Sequence, residues 1–138
     1  MRKLKIIIAG GRDFDDYAML RRETLRIVRE IAMKNTGTTT IKKEIVEIVS
    51  GAARGADRLG EQFSKEFNLR LKQFHANWNL YGNMAGYMRN SEMARYAISD
   101  EANGVLIAFW DGKSRGTKHM IETAKKSGMS VYVVSYNK

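Results

Sequence analysis

Hydrophobic residues follow two alternating patterns along this chain. Short apolar runs of the length of buried strands are separated by stretches in which apolar residues recur every three or four positions, as in helices. The predicted strands are Leu4–Ala9, Ile45–Val49, Leu69–His75, Val105–Trp110 and Ser130–Tyr136. The predicted helices are one that begins at Tyr17 behind the cap Asp15-Asp16, then Ala56–Phe67, Met84–Ala97 and Thr117–Ser127, with residues 35–43 as a surface loop.

This alternation of strands and helices predicts an α/β fold. Strands separated by helices of 10–15 residues are typical of βαβ units, whose strands are parallel. We therefore expect a single Rossmann-like domain over residues 1–138, with a mainly parallel five-stranded sheet and helices on both faces. A length of 138 residues fits one domain, and 43% hydrophobic with 28% charged residues is an ordinary globular composition.

Composition removes several classes of protein. The chain has no cysteine, which excludes disulfides, thiolate zinc sites and thiol nucleophiles, and with two histidines we predict no metal site and no cofactor. No apolar run approaches the ~20 residues that cross a bilayer, so no membrane partner is expected. The start, Met1-Arg2-Lys3, is not followed by the apolar segment of a signal peptide, so we predict a cytoplasmic protein.

The charge balance points to an anionic partner. Lys and Arg number 24 against 15 Asp and Glu, which gives a formal net charge of +9. Such an excess is typical of proteins that bind nucleic acid or a phosphorylated small molecule. A solvated basic helix face is the alternative, and charge alone does not decide between them.

The residues with distinctive chemistry lie directly after the first four predicted strands. In a parallel sheet these segments all emerge at the carboxyl edge, where open α/β folds bind ligands. Their convergence predicts a binding site there. The four segments are Gly10-Gly11-Arg12-Asp13, Ser50–Asp57, Trp78–Asn90 and Asp111–Thr117.

The first two segments have the composition of anion-binding loops. Gly10-Gly11-Arg12 allows close approach of the backbone and supplies a guanidinium, although it matches neither a dinucleotide fingerprint nor a Walker A sequence. In the second segment, Gly51 and Gly55 bracket Arg54 just before a helix, an arrangement suited to phosphate. Ser50 adds a hydroxyl, while Asp57 either caps the helix or accepts a ribose hydroxyl.

The third and fourth segments add aromatic and cationic groups. Trp78 or Trp110 is a candidate to stack on a base, with packing at the edge of the core as the alternative for Trp78, and Arg89 and Asn90 are candidates to hold the ligand. The fourth segment resembles a phosphate cradle in composition, with a flexible surface turn as its alternative. Its candidate ligand-binding residues are Asp111, Ser114, Arg115, Gly116 and Thr117. His119, just beyond it, is interpreted as an ordinary surface residue.

These four motifs, in this order, resemble the YAcAr-like branch of the SLOG superfamily, a group of small Rossmann-like proteins of bacteria and phages. The cytokinin-activating phosphoribohydrolases known as LOG proteins and the DNA-processing protein of transformation are more distant relatives. The resemblance implies a nucleotide or nucleotide-derived ligand over the loops. It also implies a substrate-binding role for Arg89, whereas Met120 stands where the LOG signature has its catalytic Glu, and Ala52 stands where the branch usually has Gly.

The leading hypothesis is therefore a sensor or ligand-binding protein for a nucleotide-derived small molecule. The enzymatic alternative is N-glycosidic hydrolysis of a nucleoside monophosphate, for which Asp57, Glu92 or Asp111 would supply the carboxylate. The third hypothesis is nucleic-acid binding, which we expect to be weak. We also predict a homo-oligomer.

Overall fold

The computed structural model describes residues 1–137. Its strands are β1 (Leu4–Gly10), β2 (Val46–Ser50), β3 (Arg70–Gln73), β4 (Asn103–Trp110) and β5 (Ser130–Ser135). The helices are α1 (Tyr17–Thr36), α2 (Ala56–Glu66), the short α3 (Trp78–Tyr81), α4 (Ala85–Ala97) and α5 (Arg115–Lys126), with three 3-10 turns at Lys43–Ile45, Gly82–Met84 and Ser99–Glu101. Within the same residues, no helix combines the length and the apolar character needed to cross a membrane.

The five strands form one parallel sheet in the order β3-β2-β1-β4-β5. β2 and β3 are added in turn on one side of β1, and β4 and β5 are then added on its other side. The order thus reverses between β1 and β4, and a crevice opens beyond the carboxyl ends of two such strands. The predicted α/β class and Rossmann-like sheet are confirmed.

Alternating residues of β1 divide the core into two layers. Ile6 and Ile8 pack with α1 and α2 on one face, whereas Ile7 and Ala9 pack with α4 and α5 on the other. Both faces are apolar because helices cover both, as is usual in parallel sheets. The edge strand β3 differs, since all four of its residues are exposed.

Several boundaries differ from the sequence-based prediction. α1 continues to Thr36 into the predicted loop, because Asn35 and Thr36 donate side-chain hydrogen bonds to carbonyls one turn earlier (2.8 Å each) and Gly37, in the left-handed conformation, ends the helix. α5 starts two residues before the predicted Thr117, because the side chain of Ser114 caps it. The third strand is shorter than Leu69–His75.

Phe109 on β4 anchors the core beneath the carboxyl edge. Its ring is fully buried and stacks on Phe14 at 5.0 Å between centroids. Its carbonyl accepts a hydrogen bond of 3.1 Å from the N–H of Gly11, just after β1. One residue therefore links the core to the loop that follows β1.

Phe109→Ala should lower the free energy of unfolding by about 3–5 kcal/mol, since it removes a buried aromatic ring and leaves a cavity. Denaturant unfolding measures the loss, and Phe109→Leu should lose less. Val133→Ala on β5, where the side chain is 43% exposed, is the control and should cost less than about 1 kcal/mol. Equal losses for Phe109→Ala and Val133→Ala would contradict this assignment of the core.

Candidate functional site

A cavity of about 490 Å³ opens at the carboxyl edge of the sheet, where the strand order reverses. This volume lies within the range of small-molecule sites, about 300–1,000 Å³. All four of the segments singled out in the sequence contribute to its walls. The predicted residues that line it are Gly10, Gly11, Arg12, Asp13, Arg54, Asp57, Trp78, Arg89, Asn90, Asp111, Ser114, Gly116 and Thr117.

The loops after β1 and β2 meet through Gly11 and Gly55. The Gly11 carbonyl accepts hydrogen bonds from the N–H groups of Phe14 (3.2 Å) and Ala56 (3.1 Å). Gly55 has φ +81° and lies so close to the first loop that an added Cβ would be 2.3 Å from the Gly11 oxygen. Only glycine satisfies both conditions. The contact brings Arg12 next to the start of α2.

Asp57 is a buried carboxyl group in the first turn of α2. It is 5% exposed, and its Oδ2 accepts a hydrogen bond of 3.1 Å from the N–H of Ala53. Burial raises the pKa of Asp57 to about 6, against the opposing effects of the Ala53 N–H and of Arg89 and Arg12, while Glu61 adds to the increase. Asp57 thus serves the loop as a hydrogen-bond acceptor and titrates closer to neutrality than an ordinary aspartate.

Arg89 on α4 reaches across to the loop after β2. Its Nη1 donates to the Gly51 carbonyl at 3.2 Å, and a Cβ at Gly51 would lie 2.9 Å from Arg89 Nε and 2.8 Å from Asp57 Oδ2. Among the described residues, the Nε–H of Arg89 is a buried donor without a partner. Burial lowers the pKa of Arg89, and Asp57 opposes that effect. The guanidinium therefore lines the cavity with part of its hydrogen-bonding capacity unused.

Asp111 organises the start of α5. Its Oδ1 accepts hydrogen bonds from the N–H groups of Lys113 (2.8 Å) and Ser114 (2.9 Å), and these bonds hold the pKa of Asp111 below its usual value. The Ser114 side chain in turn caps the helix at Thr117. The segment after β4 is therefore an ordered turn, in which Asp111 is occupied by backbone donors.

Five predicted ligand-binding residues do not line the cavity. Ser50 is fully buried and donates to Glu61 Oε2 at 2.7 Å, and the indole N–H of Trp110 donates to the Ser114 carbonyl at 3.1 Å. The other three are Gly51, Gly55 and Arg115. Gly51 and Gly55 act through the close approaches described above. Glu92, a predicted catalytic candidate, is exposed and also outside the cavity walls.

Other lining residues were not named individually as predicted ligand-binding residues. Met93 and Met120, both 1% exposed, contribute apolar surface. Tyr87 joins the wall and stacks on His119 with centroids 4.2 Å apart. The remaining ones are Ala9, Ala53, Asn83 and Gly86. Over residues 1–137, no three His, Asp or Glu side chains are grouped so as to hold a metal ion.

A family model described as YspA, cpYpsA-related SLOG family (YAcAr) matches residues 4–81, more than half of the chain. The chain belongs to this family. The match covers the loops after β1 and β2 and ends before Arg89. Gene 61 protein of Mycobacterium phage D29 is 35% identical over 89 residues, which are 61% of this chain and 67% of that protein. No solved structure matches significantly. Membership of the SLOG family suggests a nucleotide-related ligand.

The raised pKa of Asp57 predicts a specific pH dependence of stability. In the folded chain Asp57 keeps its proton to about pH 6, whereas an unfolded aspartate loses it near pH 3.9. Between these values the folded state binds more protons, so its free energy of unfolding falls as the pH rises. The contribution is fully present below about pH 4 and absent above about pH 6.

The comparison of wild type with Asp57→Asn isolates this effect, since asparagine does not titrate. From pH 4 to pH 7 the stability of wild type relative to the variant should fall by about 2–3 kcal/mol, the equivalent of two pKa units. Urea unfolding at each pH measures it. A constant difference over this range would show that the pKa of Asp57 is ordinary.

Proposed function

We propose that the chain binds a nucleotide, with the phosphate held in the cavity at the carboxyl edge of the sheet. The observation that carries this proposal is the meeting of three guanidinium groups at one cavity. Arg12 follows β1, Arg54 precedes α2 and Arg89 lies on α4, and all three line the same walls. Arginine is well suited to phosphate because its fork of N–H donors matches pairs of phosphate oxygens.

Two helices begin at this cavity and add to its preference for anions. Asp57 in the first turn of α2 and Thr117 in the first turn of α5 both line the walls. The amide groups of a first helical turn have no partner within the helix, and the helix dipole is positive there. These termini support binding of a phosphate group, in addition to the arginines.

The cavity is also lined by three acidic residues, and each of them accepts hydrogen bonds from groups of the protein itself. Asp13 accepts a hydrogen bond of 2.7 Å from the Tyr136 hydroxyl, Asp57 accepts from Ala53, and Asp111 accepts from Lys113 and Ser114. Arg12 and Arg54, in contrast, are exposed side chains at the cavity. Their guanidinium groups are therefore available to an incoming ligand.

Trp78 is the candidate for contact with the base. It lines the cavity and is 51% exposed, so one part of the indole is open to a ligand. Trp110 is less suited, since its indole packs against the core and donates to Ser114. An aromatic face near a phosphate site would accommodate a nucleobase by stacking.

Hydrolysis of an N-glycosidic bond is a second candidate function, favoured by Asp57 alone. This carboxyl group lines the cavity and has a pKa of about 6, which suits proton transfer near neutral pH. Met120, at the place of the LOG glutamate, is buried against the cavity and cannot transfer protons. We therefore rank binding above catalysis.

Binding to nucleic acid has less support. Three exposed arginines of α1 pair with carboxylates: Arg21 with Glu66, and Arg22 and Arg26 with Glu23. This pairing reduces the surplus positive charge on the helix, so any binding to DNA should be weak and salt-dependent. The homo-oligomer and the cytoplasmic location stay predictions.

Arg54→Ala should weaken the binding of AMP or GMP at least about tenfold, since a charge-assisted phosphate contact is worth about 1.5–3 kcal/mol. Arg58→Ala on α2 is the matched control, because Arg58 is exposed and lies outside the cavity walls. Isothermal titration of each variant measures the change. Adenosine and guanosine should bind much more weakly than their monophosphates, and equal affinities would refute the phosphate site.

Release of free base should be absent or very slow. With Met120 in place of a carboxylate, the general acid–base contribution of about 10²–10⁴-fold is missing. Chromatography of AMP incubated with saturating protein over hours tests this, with a LOG-type enzyme as the positive control. Rapid release of adenine that disappears in Asp57→Asn would instead establish hydrolysis and assign the carboxylate.

A further inference from the structure

Asn90 on α4 presents its amide to the cavity in a fixed orientation. The side chain lines the cavity and the residue is 4% exposed. Its Nδ2 lies 3.3 Å from the carbonyl oxygen of Gly116 on α5. A backbone carbonyl can only accept a hydrogen bond, so the atom that faces it must be the NH₂ group of the amide. The reverse orientation would place two oxygens against each other.

His119 takes the second proton of that NH₂ group. Its Nδ1 lies 3.1 Å from Asn90 Nδ2, and its Nε2 lies 3.5 Å from Thr123 Oγ1. Burial lowers the pKa of His119 further than the nearby charge of Glu122 raises it. Because the NH₂ group of Asn90 can only donate, Nδ1 is the acceptor and the ring carries its proton on Nε2. The ring of Tyr87 stacks on the imidazole of His119 and helps to hold it in place.

Both donors of the Asn90 amide are therefore directed to α5. The carbonyl oxygen Oδ1 is the polar atom that this side chain has left to offer to the cavity. Because two hydrogen bonds hold the NH₂ group of the amide, Oδ1 has a fixed direction. The amide therefore cannot easily rotate away from a ligand that lacks a matching donor. Sites of this kind discriminate strongly, because an unmatched ligand leaves a buried polar group unpaired.

We infer that Asn90 is a specificity-determining residue whose Oδ1 accepts a hydrogen bond from a hydroxyl or amino group of the bound nucleotide, and that His119 is a positioning residue which fixes the amide in that orientation. This inference rests on the proposed function. The donor is either a ribose hydroxyl or an exocyclic amino group of the base. Both present the same chemistry to Oδ1, and analogues separate them.

The test is a set of titrations with AMP and GMP and with analogues that each lack one donor. The 2′- and 3′-deoxy forms remove ribose hydroxyls, while purine riboside 5′-monophosphate and inosine 5′-monophosphate remove the amino group. Wild type should bind the parent nucleotide at least about tenfold more tightly than one of these analogues. The analogue that loses affinity identifies the donor.

Variants then assign the discrimination to the two residues. Asn90→Ala and His119→Phe should both reduce the ratio of the affinities for the parent nucleotide and this analogue to less than about threefold. The phenylalanine ring can still stack on Tyr87, but it cannot accept a hydrogen bond from Asn90. His119→Gln should restore the ratio, because the glutamine side-chain oxygen can accept from Asn90. A purely structural role for His119 would lower affinity for all ligands together and leave the ratio unchanged.

Two results would overturn the inference: equal affinity of wild type for every analogue, or a ratio that persists in Asn90→Ala. If Asn90→Ala does not fold, the ratios of His119→Phe and His119→Gln decide alone. Failure of the proposed function has a different signature, since nucleosides would then bind as tightly as nucleotides, or no nucleotide would bind. If binding requires the phosphate but the protein does not discriminate among the analogues, only the role of Asn90 and His119 is refuted.

Discussion

The carbonyl oxygen of Gly11 holds together two of the loops that form the carboxyl edge of this protein. It accepts the N–H of Phe14 in its own loop and the N–H of Ala56 at the start of α2. The next loop can approach only because Gly55 has no side chain. This contact holds the first turn of α2 against the loop that carries Arg12. The electrostatic character of the cavity thus follows from a close packing of backbone.

Two walls of different chemistry result from the topology. The loops after β1 and β2 contribute arginines and the start of α2, whereas α4 and α5 contribute Asn90, Tyr87 and the apolar side chain of Met120. Arg89 joins the walls, because it lies on α4 and donates to Gly51 in the second loop. A nucleotide has the same division, with an anionic end and a neutral end that carries a few donors. This correspondence gives the proposed function its physical basis.

Much of the fold and part of the site could be predicted from the sequence. Apolar runs such as Leu4–Ala9 determine strands locally, and because parallel strands end at one edge, the four polar segments had to converge there. Side-chain direction could not be predicted, since it depends on which partners the folded structure brings close. Ser50 turns to Glu61 and Trp110 to Ser114, while His119, interpreted as a surface residue, is held by Asn90 and Tyr87. None of these pairings has a local signal in the sequence.

A crystal structure of the chain with a bound nucleoside 5′-monophosphate tests the central claim most directly. We expect phosphate density in the cavity at the carboxyl edge, with its oxygens at hydrogen-bond distance, about 2.7–3.2 Å, from at least two of the guanidinium groups of Arg12, Arg54 and Arg89. A nucleotide bound elsewhere on the molecule, or one in the cavity with its phosphate directed away from all three arginines, would contradict it.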